Sequence, residues 1–127
     1  MNHAVLIVDD SPILRRMIRK VVTLAGINPA NIHEAGNGRE ALELLARTPI
    51  DLILLDLHMP EMDGESFLAE RARDASLALI PVAIVSTECN AETLERLRTL
   101  GACASLRKPF EPEDLSRLIG RVLKEAA

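Results

Sequence analysis

Four short apolar runs, at residues 4–8, 52–55, 82–85 and 103–106, and a weaker strand signal at 32–35 alternate with longer segments whose apolar residues recur at helical spacing. Runs this short, rich in Val, Ile and Leu, read as strands buried on both faces; their alternation with helices predicts βαβ units around a parallel sheet. Right-handed crossovers then place helices on both faces of that sheet. The fold class is α/β, with five strands and five helices. At 127 residues the chain is long enough for a real core, and no Gly/Ser linker or repeat interrupts it. Residues 1–127 are therefore expected to form one domain.

The helices have readable ends. Ser11 before Pro12 opens the first, a hydroxyl N-cap followed by proline in the first turn. Ile13, Met17, Val21 and Leu24 give it an apolar stripe, and Gly26 a stop. A second helix follows Gly38 to about residue 46, with Ala41, Leu42 and Leu45 inward. A third runs from residue 65 to about 74 and carries Phe67, Leu68 and Arg71 at related positions. Asn90 caps the fourth, which carries Leu94 and Leu97 and stops near Gly101. Leu115, Leu118, Ile119, Val122 and Leu123 mark the last.

Composition removes several function classes. The net charge of -4 argues against a nucleic-acid surface, and two Phe with no Tyr or Trp leave no platform for stacking bases. The first apolar run is short and ends in two aspartates, so it is neither a signal peptide nor a membrane span. Cys89 and Cys103 lack metal-ligand spacing. Cys103, in an apolar stretch, reads as a small core residue, and the pair suits a reducing cytoplasm.

Chemistry gathers at the ends of the runs. Asp9-Asp10, Asp56, Ser86 and Lys108 each follow one, and a parallel sheet brings strand ends of one sense to one edge, where ligands of open α/β folds bind. Three carboxylates brought together repel one another unless a cation joins them. Mg²⁺ suits hard oxygen donors: Asp10 and Asp56 are the candidate side-chain ligands, with Asp9 nearby or acting through water. His3, His33 and His58 are dispersed, which disfavours zinc. Asp56, ending the most apolar run, is placed to attack phosphorus and form an acyl phosphate. Mg²⁺, Lys108 and the Ser86 hydroxyl would each meet one equatorial phosphoryl oxygen. Taken singly, each residue also reads as a solvated turn, strand terminator or helix cap; it is their joint occurrence, each at the end of its run, that points to a site.

The set Val8-Asp9-Asp10-Ser11, Asp56-Leu57-His58-Met59-Pro60, Met62-Asp63-Gly64, Val85-Ser86-Thr87 and Lys108-Pro109-Phe110 resembles the receiver domain of two-component response regulators over essentially the whole chain. The resemblance implies a doubly wound, flavodoxin-like (βα)5 fold with strand order 2-1-3-4-5. It implies Asp56 as phosphoacceptor, Asp10 as direct Mg²⁺ ligand, Asp9 holding the metal through water, and the His58 backbone carbonyl as a further ligand. Ser86 and Lys108 fill the hydroxyl and lysine positions, and the Lys108–Pro109 bond is expected to be cis. The implied partners are a histidine kinase or histidine phosphotransfer protein and an unidentified downstream protein target, with no nucleic acid and no membrane. On this reading the chain is a switch and no enzyme in the usual sense, promoting only its own phosphorylation and dephosphorylation.

Asp10-Ser11-Pro12 and the following Arg15-Arg16 are most similar to single-domain chemotaxis-type regulators. A phosphorelay intermediate and a phosphorylation-independent docking module are the alternatives within the family; a flavin protein is disfavoured by the missing Tyr and Trp. His58 and Glu88 hold the two variable positions flanking the acceptor and hydroxyl residues. His58 there either contacts a phosphoryl oxygen or water, or lines the mouth of the cleft. Ser105 stands where many receivers carry an aromatic residue that swings inward on activation.

Overall fold

The computed structural model describes residues 3–87 and 90–126. In chain order the elements are β1 (Val5–Val8), α1 (Pro12–Leu24), β2 (Ile32–Ala35), α2 (Gly38–Leu45), β3 (Leu52–Leu55), α3 (Gly64–Ala72), β4 (Val82–Ser86), α4 (Ala91–Thr99), β5 (Ala102–Arg107) and α5 (Pro112–Ala126). The strands form one parallel sheet in the order β2-β1-β3-β4-β5. A short 3-10 turn at Pro29–Asn31, with no counterpart in the periodicity, leads into β2.

Alternation along the strands divides the core into two layers. Val5, Ile7, Leu52, Leu54 and Val85 pack with Ile18, Val22, Leu115 and Ile119 of α1 and α5. Leu6, Val8, Ile53, Leu55 and Ile84 pack with Ala41, Leu45, Phe67, Leu68 and Leu97 of α2, α3 and α4. The helix caps expected at Ser11 and Asn90 form: the Ser11 hydroxyl accepts from Leu14 N, and the Asn90 side chain from Thr93 N.

Two expectations are corrected. The stripe of α1 is turned: Ile18, Val21 and Val22 are buried, while Ile13, Met17 and Leu24 are 75%, 45% and 79% exposed. Arg15 and Arg19, one turn apart, both bind Glu34 on the edge strand β2. At 3.6 residues per turn that tether leaves Ile13, Met17 and Leu24 on the far side of the helix. Cys103, in turn, is exposed. Val82 pairs with Ala102 but Ala83 with Ala104, so Cys103 is the extra residue of a β-bulge on the edge strand. The bulge also reverses the alternation, because Ala102 packs in the α4 layer and Ala104 in the α5 layer. Cys89 lies outside the described residues.

Arg71 lies inward as its helical position suggests, 2% exposed. Its guanidinium donates to the carbonyls of Ala78 (2.8 Å), Ile80 (2.6 Å) and Leu100 (3.4 Å), tying α3 to the strand entry of β4 and the turn before β5. Gly101 in that turn has φ +111°, and a Cβ there would press on Arg71 Nη1 at 2.8 Å. Arg71→Ala leaves those carbonyls without a donor and opens a cavity. It is expected to cost about 3 kcal/mol, read as a lower urea midpoint of unfolding.

Candidate functional site

Strand register builds the site. Val8 pairs with Leu55, so Asp9 and Asp56, the next residues, leave the sheet side by side. Asp56 N extends the ladder by donating to Val8 O (2.9 Å), and Asp9 N donates to Ala35 O (3.1 Å). Leu55 also pairs with Ile84, which sets Ser86 one residue beyond the level of Asp56. Ser86 in turn pairs with Arg107, and Lys108 N donates to Ser86 O (2.9 Å). The bulge at Cys103 therefore has a consequence at the far end of the same strand: it sets the register that brings Lys108 to this edge.

The side chains converge. Asp9, Asp10 and Asp56 each offer a carboxylate oxygen, and these oxygens all lie within 4.8 Å of one another. Asp9 and Asp56 are buried and Asp10 is exposed. Lys108 Nζ donates to Asp9 Oδ2 at 2.7 Å and stands 3.4 Å from Asp56 Oδ1, so one ammonium bridges two carboxylates. Asp9 Oδ1 accepts from Ser11 N at 2.9 Å, which joins the acidic pair to the start of α1. Burial pushes the Asp56 carboxyl above its ordinary value; Lys108 opposes this and the Asp9 charge adds to it. Ser86 is fully buried at the same edge, and His58 is exposed two residues past Asp56. The Lys108–Pro109 bond is cis. Glu88 lies outside the described residues.

Two features of the site are silent in residue spacing. Gly64 N donates to Leu57 O (2.9 Å), and a Cβ on Gly64 would run into the Asp56 carbonyl oxygen and Leu57 Cα. Only glycine lets α3 start this close to the end of β3. Arg15 Nη1 donates to the carbonyl of Asp9 from one turn inside α1. The loop carrying Asp9 and Asp10 is thereby fixed from both sides.

The donor set fits a hard divalent cation: several carboxylate oxygens, one of them exposed, with no thiolate or imidazole among the grouped residues. Residues 5–120 match the sequence model of the response regulator receiver domain. The chain belongs to that family. This receiver domain is 36% identical over 121 residues to the two-component response regulator ORR5 of Oryza sativa, covering 94% of the chain and 88% of the relative. It is 43% identical over 112 residues to a protein-glutamate methylesterase/protein-glutamine glutaminase of Treponema pallidum, but spans only 27% of that protein's length. Chemotaxis protein CheY4 of Vibrio cholerae superposes with a TM-score of 0.88 at 32% identity, covering 96% of this chain and 99% of the other. The flavodoxin-like fold and strand order implied by the motifs are those observed. Receiver domains of two-component systems work in phosphorylation-based signal transduction, and this chain is one of them. Among the described residues, no helix is long and apolar enough to cross a membrane.

Proposed function

We propose that residues 1–127 act as one phosphoacceptor switch, in which Asp56 takes a phosphoryl group from a phosphohistidine on a histidine kinase or phosphotransfer protein. The observation that carries this reading is the cluster itself: three carboxylates within 4.8 Å and one lysine bridging two of them. A carboxylate oxygen of Asp56 attacks phosphorus, the P–N bond breaks, and its electron pair leaves with the imidazole nitrogen, which takes a proton from solvent. Asp10 and Asp56 side chains, the His58 carbonyl, and Asp9 through water are the groups assigned to hold Mg²⁺. Bound there, Mg²⁺ supplies positive charge that offsets the carboxylates and the phosphoryl oxygens. Lys108 stabilises charge on one equatorial oxygen, and the Ser86 hydroxyl hydrogen-bonds another.

The product adds about −1.5 to −2 charges at one strand end. Ser86 follows a phosphoryl oxygen and draws the β4–α4 loop with it, altering the face of α4, β5 and α5 that a downstream protein reads. Ser105, on that face, lines a cavity of about 220 Å³ with Leu94, Leu97 and Ala102, so any inward movement here leaves a large volume unfilled. The partners in this reading are proteins, and the net charge of -4 disfavours nucleic acid. A cytoplasmic location belongs to the same reading, since the exposed Cys103 is a free thiol.

The test is uptake of one phosphoryl group from phosphoramidate, a small donor with a P–N bond, read by intact mass. Uptake is expected with Mg²⁺ and lost with a chelator; an unmodified protein under both conditions would refute the reading. The approach of a protein donor leaves its own mark. Ile13 and Met17 are exposed on α1, whose first turn adjoins the acidic pair. Ile13→Glu places charge on that apolar surface and is expected to slow transfer from a phosphohistidine protein about tenfold, the effect of about 1.4 kcal/mol. Transfer from phosphoramidate should be unchanged.

A further inference from the structure

Asp10 is the exposed member of the acidic cluster, so the backbone that carries it decides where its carboxylate stands. The residue before it is tied at every polar group. Asp9 N donates to Ala35 O, one Asp9 carboxylate oxygen accepts from Ser11 N and the other from Lys108 Nζ. The remaining group is the Asp9 carbonyl, half of the peptide that joins the two acids. It is held by Arg15 Nη1.

Arg15 is itself anchored from behind. Its Nε donates to Glu34 Oε1 at 3.0 Å, while Glu34 Oε2 takes Arg19 Nε at 2.7 Å. Arg19 reaches on to the carbonyl of Ile32 at 2.7 Å. A planar guanidinium with a fixed fork can thus fasten the Asp9–Asp10 peptide to the edge strand β2, a task a flexible ammonium performs poorly. Residues that orient ligands without touching a metal commonly change its affinity by 10- to 100-fold when removed.

We infer that Arg15 is a positioning residue for divalent-cation binding, acting through the Asp9 carbonyl to orient the peptide that presents Asp10. This rests on the cation reading of the acidic cluster. It also makes a prediction of sign. Arg15 is a cation near an acidic site, so loss of its charge alone would strengthen Mg²⁺ binding. Loss of its clamp would weaken it. The two effects oppose each other, and positioning is the larger.

The test is calorimetric titration of the full chain with Mg²⁺ alone, comparing wild type with Arg15→Ala, Arg15→Lys and Glu34→Gln. Arg15→Ala is expected to weaken Mg²⁺ binding about tenfold or more. Arg15→Lys, which keeps charge and a donor but loses the fork, should recover part of that loss. Glu34→Gln leaves Arg15 in place, weakens its anchor, and should give a smaller loss of the same sign. Urea midpoints taken without Mg²⁺ separate this from general destabilisation: Glu34→Gln and Arg15→Lys should lose affinity while remaining folded. Equal or tighter binding by Arg15→Ala would overturn the positioning role and leave the cation site standing. A wild type that binds no Mg²⁺ would overturn the cation reading and this inference with it.

Discussion

Asp56→Asn is expected to take up no phosphoryl group from any donor and to unfold at a higher temperature than wild type at pH 7. The carboxamide is too weak a nucleophile toward phosphorus, so the loss should be complete rather than graded. The stability change follows from the site's electrostatics. Burial and the Asp9 charge raise the Asp56 pKa above its ordinary 3.8 against the opposing pull of Lys108. A raised acid binds its proton more tightly in the folded than in the unfolded chain. Its contribution thus favours the fold below about pH 3.8 and is lost as pH rises through the folded value. As pH rises through the folded value the wild type must ionise a poorly solvated carboxyl, and the variant need not. The difference in melting temperature should shrink as pH falls toward 4. Mg²⁺ acts in the other direction: at a hundred times its dissociation constant it adds about 2.7 kcal/mol to the wild type, and less to the variant. Calorimetric scans at pH 7 and pH 4, with and without Mg²⁺, check all of this.

Lys108→Ala is expected to slow phosphoryl uptake by about 10²- to 10³-fold, the usual cost of losing one preorganised charge at a developing oxyanion. Lys108 is almost enclosed and sits 2.7 Å from Asp9 and 3.4 Å from Asp56, so no solvent cation takes its place at the same point. Its removal also leaves Asp9 and Asp56 facing each other with nothing between them. The variant should therefore bind Mg²⁺ more tightly while reacting more slowly. That split separates chemistry from binding: if Lys108 only organised the cation site, affinity and rate would fall together. Single-turnover uptake from phosphoramidate and a Mg²⁺ titration, run on the same preparation, decide between them.

The site was legible because parallel strands turn sequence position into spatial position. Once the runs ending before Asp9, Asp56, Ser86 and Lys108 are read as strands of one sense, their ends must meet, and the register shows them doing so. What stayed hidden depended on contacts that no period encodes. The orientation of α1 is set by Arg15 and Arg19 reaching Glu34, and an apolar stripe at Ile13, Met17 and Leu24 is as good a helical pattern as the buried one. The exposure of Cys103 follows from a bulge, and one extra residue in an edge strand leaves no mark on composition. The close approach at Gly64 appears in the sequence only as a turn glycine. Arg71 shows how pattern outranks residue type, since a charged side chain occupies an inward helical position with its Nη1 and Nη2 donating to carbonyls.

The central claim is that phosphorus becomes bonded to one carboxylate. Borohydride reduces an acyl phosphate to the alcohol, so trapping the modified protein and sequencing its peptides by tandem mass spectrometry locates the bond. Homoserine at position 56 and nowhere else, formed only after treatment with phosphodonor and Mg²⁺, is the predicted result. Phosphate found on a serine or histidine, or homoserine at position 9 or 10 with residue 56 intact, would contradict it.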